Sequence, residues 1–167
     1  MEIQKNILIL TVDAGFGHRS AAIAIAQALE DLYSDRCSVS IYNPLDHRSV
    51  PAFLRETQFD YDKFVRKMPD FYKFNFQISD SPVPSVLLES ALTVLFFSST
   101  RSLFREFKPD VILTTHPFYN ASLNTYITLR KLPVPIINVI TDITNLHRLW
   151  FYHGVDYCLL PSQEAYS

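Results

Sequence analysis

Asn6–Glu30 reads NILILTVDAGFGHRSAAIAIAQALE, and this stretch decides the fold. Ile7, Leu8, Ile9, Leu10 and Val12 form a continuous apolar run bounded by turn residues, the pattern of a strand covered on both faces in a parallel sheet. A glycine-bearing turn follows. From near Arg19, the spacing of Ala22, Ile25, Ala26 and Leu29 predicts a helix with one apolar face. Gly15 and Gly17 are two of only three glycines in the chain, which points to positive φ or close backbone approach to a ligand in this turn. The unpaired N–H groups at the start of the helix, at the positive end of its dipole, would then face an anion.

A second strand is expected over Ser38–Tyr42, closing at Asn43-Pro44. Strand, helix and strand imply a right-handed crossover and a parallel pair. Further strands are expected at Val111–Thr114, Ile136–Thr141 and Tyr157–Leu160, with helices over Ser85–Phe107 and Ala121–Arg130. Ser81-Pro82-Val83-Pro84 reads as a stiff connector, and Pro161-Ser162 as the opening of one more helix. The resulting class is α/β, a Rossmann-like, doubly wound, mostly parallel sheet. A length of 167 residues, 48% hydrophobic and 19% charged, describes one globular domain. The net charge of −2 gives no electrostatic footprint for nucleic acid. Cys37 and Cys158 sit in strand-like runs with no metal or CxxC spacing, so buried free thiols are expected, in keeping with a cytoplasmic setting. The apolar run Ile7–Val12 is too short for a secretory signal. Val83–Phe97 is interrupted by Pro84, Ser85, Glu89 and Ser90, so membrane contact, if made, is expected to be peripheral.

The texture changes between Phe53 and Phe76, FLRETQFDYDKFVRKMPDFYKFNF. Aromatics alternate with cations here. Two readings stand side by side: short helices packing rings on the core, or an interfacial patch with Phe71, Tyr72, Lys73 and Phe74 at a membrane surface.

Ligands of open parallel sheets bind beyond the carboxyl ends of the strands. There the sequence places Asp13, Gly15, Gly17 and His18, then Asn43, Asp46 and His47, then His116, then Asp142 and His147. A lone loop histidine usually serves local backbone. Several on one rim, with carboxylates and a glycine turn, point to a site. The turn lacks the spacing of a phosphate-binding P-loop and the third glycine of a dinucleotide fingerprint. No HExxH or comparable metal spacing is present, so no metal is expected.

DAGFGHRSAAIAIAQAL (13–29) resembles the glycine-loop signature that opens the acceptor domain of monogalactosyldiacylglycerol synthases and the processive diacylglycerol glucosyltransferases. PDVILTTHPFYN (109–120) and INVITDITNLHRLWFYHGVDYCLLPSQEAY (137–166) are similar to later segments of the same family. The resemblance implies the N-terminal half of a GT-B glycosyltransferase: residues 1–167 form an acceptor and membrane-side domain, and the C-terminal nucleotide-sugar domain lies outside them. It implies an inverting, metal-independent transfer of galactose or glucose from a UDP-sugar to diacylglycerol or a similar lipid, needing no cofactor. The chain alone would then be inactive and depend on a donor-binding domain or partner chain. Carried onto this sequence, His18 and Asp142 are the catalytic candidates. His18 is favoured as base, with Asp142 orienting it or serving as base itself. Gly15, Phe16, Gly17, His116, His147 and Trp150 are the candidate substrate-binding residues. Two alternatives are a non-catalytic membrane-anchoring subunit of a split glycosyltransferase and a relative of the lipid II-forming N-acetylglucosaminyltransferase.

Overall fold

A computed structural model describes residues 4–13, 17–52, 55, 82–143 and 146–163. Gly15, Phe16 and the aromatic segment holding Phe71, Tyr72, Lys73 and Phe74 lie outside the described residues, as does the chain beyond Gln163.

The described elements run β1 (Lys5–Leu10), α1 (Gly17–Tyr33), β2 (Cys37–Tyr42), α2 (Pro82–Phe107), β3 (Val111–Thr114), α3 (Asn120–Arg130), β4 (Ile136–Val139) and β5 (Tyr157–Leu159). Short 3-10 turns occupy Pro44–Asp46, Pro117–Tyr119 and Arg148–Phe151. The strands form one sheet in the order β2-β1-β3-β4-β5, and every neighbouring pair is parallel. The expected Rossmann-like sheet is therefore present, consistent with one half of a GT-B enzyme.

Alternation along the strands divides the core into two layers. Leu8, Leu10, Ile112 and Ile136 pack with Leu92, Phe96 and Leu103 of α2 and Leu123 of α3. Ile9 and Leu113 face the other way, toward Ala22 and Ala26 of α1. The two alanines let α1 lie close to the sheet, with Ile25 packed beside them.

Some boundaries differ from the sequence reading for identifiable reasons. α1 begins at Gly17 rather than Arg19, so His18 lies in its first turn. α2 begins at Pro82, so the expected connector is partly its first turn. Proline is tolerated there because its missing N–H has no partner in a helix start anyway. Cys37 is buried, but Cys158 is exposed, a correction to the expected burial. Among the described residues β5 is an edge strand, and Tyr157 and Leu159 beside Cys158 are exposed too. Residues 86–107 of α2 are long and apolar enough to cross a membrane by length and composition. Leu92, Phe96 and Leu103 nonetheless commit the helix to the core.

Candidate active site

Three strand ends converge on His18. β1 delivers Thr11 and Val12 before the turn into α1, β3 delivers Thr115 and His116, and β4 leads to Thr141 and Asp142. The backbone stitches the rim together, Thr115 N–H donating to Leu10 O at 2.9 Å and Thr11 N–H to Tyr42 O at 3.0 Å.

Nδ1 of His18 lies 2.7 Å from the Thr115 carbonyl oxygen and 2.7 Å from Thr141 Oγ1. A carbonyl oxygen only accepts, so Nδ1 must carry the proton. In the neutral ring, Nε2 is then the nitrogen with the free lone pair. Burial lowers the pKa of His18; the Thr115 hydrogen bond and the charge of Asp142 partly offset this by raising it. The Thr115 hydroxyl, itself fully buried, has Thr11 Oγ1 at 3.0 Å and the His18 carbonyl oxygen at 3.1 Å within reach as acceptors.

His116 stands edge-on to His18, with ring centroids 4.7 Å apart. Its Nδ1 accepts a long hydrogen bond of 3.5 Å from Phe118 N–H, which puts the proton of the neutral ring on Nε2. Burial pushes the pKa of His116 well below the ordinary value of 6.5, and the neighbouring His18 pushes the same way. The two imidazoles are thus complementary tautomers, one offering a basic nitrogen and the other an N–H.

Asp142 is not on Nδ1. Its Oδ2 accepts from the Trp150 indole N–H at 2.6 Å, and it acts on His18 through its charge. The atoms in contact with Nδ1 are instead the Thr115 carbonyl oxygen and the Thr141 hydroxyl. Trp150 is 1% exposed, its ring 6.2 Å from that of His18 and 6.4 Å from that of His116. His147 caps the turn that carries Trp150: Nδ1 accepts from Leu149 N–H at 3.1 Å, and its carbonyl accepts from Trp150 N–H at 3.0 Å. From below, the buried Asn138 amide donates to the Trp150 carbonyl at 2.6 Å, and its oxygen accepts from Thr114 Oγ1 at 3.0 Å.

A second polar cluster flanks the first. Asn43 Nδ2 donates to Asp13 Oδ2 at 3.2 Å, Asp13 Oδ1 pairs with Arg19 at 3.2 Å, and the buried Tyr119 hydroxyl donates to Thr11 O at 3.2 Å. Gly17 has no positive φ, and among the described residues nothing lies within 4 Å of a Cβ built on it. Positive φ is therefore not its role. Among the described residues, no group of His, Cys, Asp and Glu could hold a metal ion.

His18, His116, Trp150 and Asp142 are thus brought together, with His147 one step behind. The sequence reading missed Thr115, Thr141 and Asn138. Their signal was a polar side chain inside or just beyond an otherwise apolar strand, where burial demands a partner.

A family model for monogalactosyldiacylglycerol (MGDG) synthase matches residues 18–167. Monogalactosyldiacylglycerol synthase 2, chloroplastic, of Arabidopsis thaliana is 32% identical over 98% of this chain and 35% of its own length. Monogalactosyldiacylglycerol synthase 3, chloroplastic, of the same plant is 30% identical over 96% of this chain and 35% of its own length. The Spinacia oleracea monogalactosyldiacylglycerol synthase, chloroplastic, is 29% identical over 98% and 31% respectively. The chain spans about a third of the length of these curated relatives. With 150 of its 167 residues inside the family model, the chain belongs to the monogalactosyldiacylglycerol synthase family.

Proposed function

We propose that this chain is the acceptor-side domain of an inverting glycosyltransferase that moves galactose or glucose from a UDP-sugar to the hydroxyl of diacylglycerol. The observation that carries the reading is the fixed tautomer of His18, whose Nδ1 proton is committed to the Thr115 carbonyl. Nε2 takes the proton of the acceptor hydroxyl as its oxygen attacks the anomeric carbon, and the nucleoside diphosphate leaves from the opposite face. His116 Nε2–H donates to the same acceptor oxygen and orients it. Asp142, held by Trp150, supplies the negative charge that favours the imidazolium as it forms.

The donor half of the enzyme lies in polypeptide outside these residues on this reading, and the isolated chain does not turn over. Its support is the one-third share of the relatives' length. Membrane association is peripheral and involves the rim end of α2. There Val86, Leu87 and Val94 are exposed, while Phe96 packs edge-on against Tyr119 of the rim at 5.0 Å. Apolar side chains at that end would meet a lipid surface beside the site.

The test is transfer of labelled galactose or glucose from the UDP-sugar to diacylglycerol in vesicles, by an enzyme that contains these residues together with a donor domain. His18→Ala is expected to lower turnover by at least ~10²-fold, the scale of acid–base catalysis. Near-normal turnover would remove His18 from the base role.

A further inference from the structure

Thr141 has no part in the chemistry described so far, yet its hydroxyl oxygen is as close to His18 Nδ1 as the Thr115 carbonyl is, 2.7 Å in each case. The two threonines reach the ring from different strands, Thr115 after β3 and Thr141 after β4. Both positions are remote from His18 in sequence, 97 and 123 residues away. Because the carbonyl can only accept, the Nδ1 proton is fixed on the ring. The Thr141 oxygen must then meet that proton as a second acceptor. We propose that Thr141 is a positioning residue for His18, its hydroxyl oxygen sharing the Nδ1 proton with the Thr115 carbonyl so that the ring keeps one orientation.

The proposal rests on the reading of His18 as the base, but its chemistry stands on contacts within this chain. The carbonyl fixes the tautomer, and a second acceptor on the same N–H restricts the rotation of the ring. Both acceptors favour the imidazolium over the neutral ring, since hydrogen bonds from a charged donor are the stronger kind. Of the two acceptors, only Thr141 can be removed by substitution, because the other is main chain. The titratable and charged groups around the ring are His116 on the turn after β3 and Asp142 following β4, with the Asp13–Arg19 pair at the start of α1. Thr141 and Asp142 are adjacent in sequence yet act on the ring in different ways, one by contact and one by field, and this makes their effects separable.

The experiment is nitrogen and proton NMR of the His18 imidazole in this chain, titrated with pH and without substrate, for the wild type, Thr141→Val, Thr141→Ser and Asp142→Asn. Thr141→Val removes the acceptor with little change of shape. It is expected to lower the His18 titration midpoint by about half a pH unit, the difference between a charged and a neutral hydrogen bond, and to shift the Nδ1 proton signal upfield as its second acceptor is lost, the Nδ1–H tautomer being kept by the Thr115 carbonyl. Thr141→Ser keeps the oxygen and is expected to restore both readings. Asp142→Asn is expected to lower the midpoint with the Nδ1 proton signal unchanged. If Thr141→Val fails to fold, Thr141→Ala against Thr141→Ser makes the same contrast without added bulk. An unchanged Nδ1 proton signal and midpoint in the variant lacking the hydroxyl would overturn the proposal. Because these readings need no turnover, a failure here is separate from a failure of His18 as base, which only the transfer assay detects.

Discussion

Asn138 offers the sharpest test of how the site is held. Its side chain is wholly buried, its amide nitrogen is 2.6 Å from the Trp150 carbonyl, and its oxygen accepts from Thr114. Replacing it with Leu removes both contacts. Thr114 can still donate to Asn120 Oδ1 at 2.9 Å, so nothing is orphaned on that side. The Trp150 carbonyl, however, loses its side-chain donor in a dry interior, at a cost of about 1–3 kcal/mol. For a domain of this size, a loss of about 2 kcal/mol lowers Tm by roughly 4–8 °C. Trp150 is the only tryptophan in the chain, so its fluorescence reports this one place. The assay is a urea titration followed by circular dichroism together with tryptophan emission of the folded variant. Lower stability and a red-shifted folded emission are expected, because the ring moves once its carbonyl is released. Asn138→Ala, which cannot overpack, should act in the same direction. A loss below about 0.5 kcal/mol with unchanged emission in both variants would refute the idea that this amide anchors Trp150, and with it Asp142.

The histidines make stability pH-dependent in a definite direction. The folded-state pKa values of His18 and His116 both lie below 6.5, so the unfolded chain binds more protons between the folded and unfolded values. Their contribution is complete above pH 6.5 and is lost as pH falls toward the folded values. Urea midpoints at pH 7.5 and 5.5 should show the loss, and His116→Asn, which keeps an acceptor for Phe118 N–H, should flatten it; equal slopes would contradict this. Lys131 ends α3 in the left-handed region at φ 53, its N–H returning to the Ile127 and Thr128 carbonyls. Glycine adopts that conformation without the side-chain penalty, so Lys131→Gly should stabilise the chain by up to about 1 kcal/mol, and a lower Tm would show the strain is absent.

Much of this arrangement was legible because its signals are local. The apolar runs of β1, β3 and β4 announced buried parallel strands, and Ala22, Ile25 and Ala26 marked the sheet-facing side of α1. The rim rule placed His18, His116 and Asp142 near one another before any distance was known. What stayed hidden was non-local. No pattern within a strand shows that Thr141 reaches a histidine 123 positions away. Nor does β5 reveal by its composition that, at the edge of the described sheet, its side chain at Cys158 is exposed. Pro82 and Pro84 differ for the opposite reason: the stiffness that suggests a connector equally suits the first turn of a helix, where both lie.

If His18 is the base, as proposed above, it has to satisfy two opposed demands. It must be neutral before the proton moves and must tolerate being charged while the new bond forms. Burial beside His116 meets the first demand, since both rings are pushed toward the neutral form. The second is met by groups that carry no full charge at the contact: a carbonyl and a hydroxyl oxygen on Nδ1, with the Asp142 carboxylate held off by the Trp150 indole. A carboxylate directly on Nδ1 would stabilise the imidazolium more strongly, at the expense of the neutral ring the reaction needs first. On the proposed reading of His18 as base, the Trp150 indole, besides bordering the site, holds the Asp142 carboxylate by its N–H. Its near-complete burial and the two anchors on its turn, Asn138 and His147, are what such a role requires.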